Sequence, residues 1–299
     1  MFIFKTIALP HIFRKEKYTK RGRKYYHKRP KSFFDFILKM AAFFWAMSVL
    51  AGVAAKPIHY ENNFADNFEI EEGAYAEDIL NEEKIKSINF ENKEINDEPL
   101  ILIFQTHSNE EYADGKTVKD AGCELAKIFS EKYGITVVHD MGEYDKENGE
   151  IKREESYKRS GEGVKKLLEK YPSVKIAIDI HRDAYKEGDK AEEKDGKKYA
   201  LLMPVVGACA LKESGEKKDA GVENEFIYEN LKFAYDFRKN CGEEGVCKKI
   251  YIKPYRYSTY MLPESILLEC GNEKSTFEEV ENSLYIAAEA IVKTAEISG

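Results

Sequence analysis

The chain has 299 residues, of which 43% are hydrophobic and 34% charged, with a net charge of −7. That composition excludes a disordered chain and a protein membrane-embedded throughout, and the length fits one large domain or two modest ones. Charge is unevenly placed: residues 1–39 hold twelve Lys/Arg against Glu16 and Asp35, so this arm carries +10 and the remainder −17.

A basic arm (1–32) alone could suggest nucleic acid, but an apolar run follows it. "MAAFFWAMSVLAGVAA" (40–55) is sixteen residues without a charge, and extension back to Phe33 gives twenty-three. A bilayer span needs about twenty. Segment 33–55 therefore reads as a membrane anchor or a signal-peptide core cut near Ala55, with the long basic arm favouring the anchor. Either way the arm is expected in the cytoplasm and residues 56–299 outside the cell, an extracytoplasmic domain that is membrane-anchored or, if cut, released. The arm's charge is then accounted for without nucleic acid.

Residues 56–98 hold thirteen acids against four lysines and no sustained hydrophobic period, which predicts an acidic spacer. From Pro99 the texture changes. "PLILIFQ" (99–105) suits a strand buried on both faces. The pattern then predicts a helix over 117–133 capped by Gly134, a strand over 135–140 and a helix over 156–171. A strand over 174–180 and a charged loop over 185–198 follow, then a strand over 199–207. A helix over 222–240, strands over 249–254 and 264–269, and a final helix over 274–296 complete the chain. Strands alternating with helices predict an α/β domain over 99–299, with a twisted, mainly parallel sheet and helices on both faces. Cys241 and Cys247 bracket a short loop that a disulfide could close, whereas Cys123, Cys209 and Cys270 read as core residues.

Three apolar runs end in a residue that binds metal or moves protons: "ILIFQT" in His107, "VKIAIDI" in His181 and "SILL" in Glu269. In open α/β sheets ligands gather beyond the carboxyl ends of strands. If these strands are parallel neighbours, they supply what a catalytic zinc site needs. That is two imidazoles and a carboxylate as ligands, an open position, and a further carboxylate as base. On a helical turn His107 and Glu110 share a face and Glu111 points away, so Glu110 is the preferred third ligand. In "DIHRD", Asp179 and Asp183 share the face of His181 if the segment is extended, so an aspartate could orient the ring. His139 is a weaker metal candidate. No GxSxG elbow, HExxH helix or phosphate-binding loop is present.

"QTHSNEEY", "YPSVKIAIDIHRDA", "YALLMPVVG", "ENLKFA" and "RYSTYMLPESILLECGN", following the basic arm and apolar segment, resemble the stage II sporulation protein P family. The ending around Glu269 is also similar to that of the wider zinc-dependent N-acetylmuramoyl-L-alanine amidase superfamily. The resemblance implies an amidase-like fold, Zn2+ as cofactor and peptidoglycan as substrate. It implies cleavage between N-acetylmuramic acid and the stem peptide, with peptide cross-links also cut, during septal wall thinning and engulfment. It implies the membrane and the stage II proteins D and M as partners. Carried over, His107 and His181 match the zinc histidines, Glu110 the acidic ligand and Glu269 the catalytic glutamate. Arg182 would contact a stem-peptide carboxylate. The family usually has a histidine where this chain has Gln105 and an asparagine where it has Ser258. The competing readings are a zinc carboxypeptidase or endopeptidase acting only on stem peptides, and a wall-binding scaffold.

Overall fold

The computed structural model describes residues 63–72, 74, 79–213, 216–219, 223–242 and 245–298. The basic arm and the expected membrane segment lie outside the described residues. Among those described, no helix is long and apolar enough to cross a membrane.

Seven strands form the central sheet: β1 (Phe68–Ile70), β2 (Ile101–Phe104), β3 (Val137–His139), β4 (Ile176–Asp183), β5 (Leu202–Gly207), β6 (Ile250–Lys253) and β7 (Glu264–Asn272). Their order across the sheet is β1-β6-β5-β7-β4-β2-β3. All neighbouring pairs are parallel except β5 with β7. The expected mainly parallel sheet is therefore present. The single antiparallel pairing reverses the direction of β5, β6 and β1 relative to the other four strands.

Among the described residues five helices accompany the sheet: α1 (Glu82–Ser87), α2 (Val118–Tyr133), α3 (Ser156–Lys170), α4 (Ile227–Asn240) and α5 (Phe277–Thr294). Their ends are written in the sequence. Asp120 accepts from the Thr117 backbone N–H at 2.8 Å at the start of α2, and Gly134 ends that helix at φ 69°. Thr276 and Glu279 make the reciprocal capping pair of α5.

Strand parity divides the side chains between two cores. Ile101, Ile103, Ile176, Ile178, Ile266 and Leu268 face one way and pack against α2, α4 and α5. Leu102, Phe104 and Ala177 face the other way, against Val164, Leu167 and Leu168 of α3. Helices thus cover both faces, three on one and α3 with the 3₁₀ turn Ser258–Met261 on the other.

The acidic segment expected as a spacer is built into this domain from Phe64 onward. Phe64 and Phe68 are buried, Ile85 is fully buried, and β1 pairs with β6 as the sheet's edge. A few apolar side chains spaced along an acidic stretch suffice to dock it, which composition alone conceals. The expected loop 185–198 contains a hairpin, Glu192–Lys194 with Lys197–Tyr199. Cys241 and Cys247 are free thiols in hydrogen-bond contact. Cys123 is exposed rather than in the core.

Candidate metal centre

β2, β4 and β7 are neighbours running the same way, so their carboxyl ends open at one edge of the sheet. His181 and Glu269 sit side by side in register, and Asp179 is level with Phe104 on one side and Leu267 on the other. By parity Asp179, His181 and Glu269 share the α3 face. Immediately after Glu269 the register of β7 slips in a bulge. Gly271 stands there at φ 73°, where a Cβ would lie 2.7 Å from Ser275 Oγ. Only glycine fits that turn, and the bulge frees the chain just past Glu269.

β2 ends at Phe104, and the chain then turns tightly, with Glu110 N–H donating to His107 O at 3.1 Å. This turn brings Glu110 back onto its own histidine. Glu110 Oε1 is 3.3 Å from His107 Nδ1, and Oε2 is 3.4 Å from His181 Nδ1. One donor atom from each of the three residues lies within 4.8 Å of the others. Glu111 takes no part; its backbone oxygen accepts from Arg182 Nε at 3.0 Å. Two imidazole nitrogens and one carboxylate, converging from a largely buried position, fit a small divalent cation of borderline softness.

The far nitrogen of each ring faces a polar oxygen. His107 Nε2 lies 3.0 Å from Ser156 Oγ, at the first turn of α3. His181 Nε2 lies 3.0 Å from Asp179 Oδ1, though off the line of a good hydrogen bond. Asp179 is fully buried and accepts from Thr106 N–H at 2.9 Å and Thr106 Oγ1 at 2.7 Å. From Thr106 the hydroxyl chain continues through Ser160 at 2.9 Å to Ser258 at 2.6 Å. Asp183 is not on the imidazole: it accepts from Ala184 N–H at 2.9 Å and lies 3.7 Å from Lys248.

Burial and charge set the protonation of these groups. Burial works against ionised Glu110, yet its bonds to His107 and His181 hold the carboxyl well below its usual range. Burial likewise works against a charged His181, but Asp179 and Glu110 outweigh it and hold the ring's pKa well above normal. Glu269 has too little compensation. Burial pushes its carboxyl up to about 7, and its Oε2 is sealed from solvent with no hydrogen-bond partner. The rest of Glu269 remains partly exposed.

Gln105 and His139 lie elsewhere. Gln105 is fully buried, its amide 3.0 Å from His139 Nε2, and His139 Nδ1 is 3.6 Å from Cys123 Sγ. Gly122 makes this possible, since a Cβ there would fall 2.4 Å from Gln105. Arg182 is committed to backbone oxygens of Glu111 and Asp183 and to Glu273 at 3.7 Å. Residues that strand-end reasoning missed include Tyr157, whose ring centroid is 5.1 Å from His107 and 4.9 Å from Tyr257. They also include Arg153, 3.7 Å from Glu110, and the fully buried Asp145. Tyr157 stands in the first turn of α3, a helix whose placement over the sheet no local pattern specifies, and Arg153 in the loop before it.

Three solved structures resemble the fold at low identity. N-acetylmuramoyl-L-alanine amidase AmiC2 of Nostoc punctiforme is 15% identical, over 66% of this chain and 94% of its own, with a TM-score of 0.40. The N-acetylmuramoyl-L-alanine amidase of Clostridium difficile 630 is 16% identical, over 67% and 95%, with a TM-score of 0.37. The catalytic domain of the amidase CwlV from Bacillus (Paenibacillus) polymyxa var. colistinus is 12% identical, over 66% and 95%, with a TM-score of 0.36. No curated protein matches the chain. The family model for stage II sporulation protein P matches residues 38–292, covering both the strand-end histidines and Glu269. The chain belongs to the stage II sporulation protein P (SpoIIP) family.

Proposed function

We propose that this chain is a zinc-dependent N-acetylmuramoyl-L-alanine amidase, cutting the amide between N-acetylmuramic acid and the stem peptide of peptidoglycan during sporulation. One observation carries the reading. Donor atoms of His107, Glu110 and His181 lie within 4.8 Å of one another, and a separate carboxylate, Glu269, has a pKa raised to about 7. The nitrogen-rich donor set favours zinc over magnesium or calcium, which prefer oxygen ligands. A zinc ion held by these three residues would polarise the scissile carbonyl and acidify a water molecule.

The protein's own residues do the remaining work. Ser156 and Asp179 lie against the far nitrogens of His107 and His181, and both Nδ1 atoms face Glu110. Glu269 takes the proton as water oxygen bonds to the carbonyl carbon. It then delivers that proton to the stem's amine nitrogen as the C–N bond breaks. A carboxyl with a pKa near 7 is suited to both transfers, because neither direction is strongly uphill at neutral pH.

Purified cell wall digested by the full chain with zinc should release intact stem peptides bearing a free N-terminal L-alanine, identified by mass. Release of shortened stems alone would assign the site to a peptidase. No release of any fragment would leave a wall-binding scaffold.

A further inference from the structure

Arg153 Nη1 lies 3.7 Å from Glu110 Oε1, and its side chain keeps 51% of its exposure. A cation so placed is unexpected beside residues suited to a dication. With zinc bound, two neutral imidazoles and one carboxylate would leave the centre at a net +1. The nearby guanidinium raises this to +2 and is repelled unless an anion comes between. Metal and Arg153 together thus define an anion subsite.

The position of Arg153 is built. Lys152 N–H donates to Asp145 O at 2.6 Å, Ser156 N–H to Arg153 O at 3.1 Å, and Arg159 Nη2 to Lys152 O at 2.6 Å. Asp145 in turn accepts from Ser108 Oγ at 2.7 Å, Asn109 N–H at 3.2 Å and Asn109 Nδ2 at 2.8 Å. The buried aspartate therefore locks the segment carrying Arg153 to the turn carrying His107 and Glu110. Three other cations are paired with carboxylates: Arg182 with Glu273, Lys248 with Asp189 at 2.8 Å, and Lys253 with Glu71 at 3.9 Å. Among the described residues, the one ion pair of Arg153 is with Glu110.

We propose that Arg153, and not Arg182, binds a carboxylate of the stem peptide and positions the scissile amide at the metal centre. The inference rests on the amidase reading. In an uncleaved muramoyl peptide the lactyl carboxyl is consumed in the scissile amide, so the stem side supplies the free carboxylates. A planar guanidinium fork matches a carboxylate bidentately, which an ammonium cannot do.

The test uses the full chain carrying Glu269→Gln, which binds substrate without cutting it, loaded with zinc. Its ligands are an N-acetylmuramoyl tripeptide with free stem carboxylates and the same compound with them amidated. Arg153→Ala should weaken binding of the free acid about tenfold or more, as expected for a charge-assisted hydrogen bond, and leave the amidated ligand unchanged. Arg153→Lys should fall between. Zinc affinity should hold or tighten, because a positive charge is removed beside the metal. Equal effects on both ligands, or loss of zinc in Arg153→Ala, would overturn the proposal, the latter making Arg153 a support for Glu110. If the chain binds neither muramoyl peptide and the wild type releases nothing from wall, the amidase reading itself fails.

Discussion

At the scale of residues, the pairing of His181 with Asp179 has a consequence for metal affinity. In the metal-free protein the two nearby carboxylates hold a proton on His181 well above its ordinary range, although burial opposes them. Metal needs Nδ1 without its proton, so binding must expel that proton, and affinity should fall as pH is lowered. Zinc titrations at neutral pH in two buffers of different ionisation enthalpy should show about one proton released per ion. No release would contradict the assignment of His181 as a ligand. His107, Glu110 and His181 were legible in the sequence because each sits at or just past the end of an apolar strand. Arg153, Ser156 and Tyr157 were not, because they reach the site from a loop and a helix start. Asp183 shows the limit of period-two reasoning. Two residues beyond His181 the strand is ending, and its carboxylate turns to Ala184 and Lys248 instead of the ring.

At the scale of elements, the strands and long helices after Pro99 follow the hydrophobic periods of the chain, and their ends follow the Thr, Asp and Gly caps. The segment before Pro99 does not. Phe64, Phe68 and Ile85 are scattered among acids, and β1 is a three-residue edge strand held largely by its backbone. Their burial depends on a partner surface formed by distant sequence, which a local window cannot contain. If α1 belongs to the domain, Ile85→Ala should destabilise the protein by about 2–5 kcal/mol, the usual range for truncating a fully buried aliphatic side chain. Denaturant unfolding of the full chain measures this. An unchanged midpoint and slope would return residues 63–98 to the role of a spacer.

At the scale of the whole molecule, sheet order turns separate strand ends into one site. β2, β4 and β7 are neighbours although some seventy to ninety residues separate them in sequence, and the sequence did not reveal that adjacency. Convergence at the carboxyl ends gives the two carboxylates different surroundings: Glu110 is held ionised between two imidazoles, whereas Glu269 is left poorly compensated. The central claim is that the first residue holds the metal and the second moves the proton. Glu269→Gln keeps size and shape while removing the proton acceptor. Zinc content and release of stem peptides from wall, measured on a single Glu269→Gln preparation of the full chain, test the claim most directly. The account predicts near-normal zinc with activity lowered roughly 10²–10⁴-fold, the span of general acid–base catalysis. Full activity would remove Glu269 from the chemistry, and lost zinc would make it a ligand.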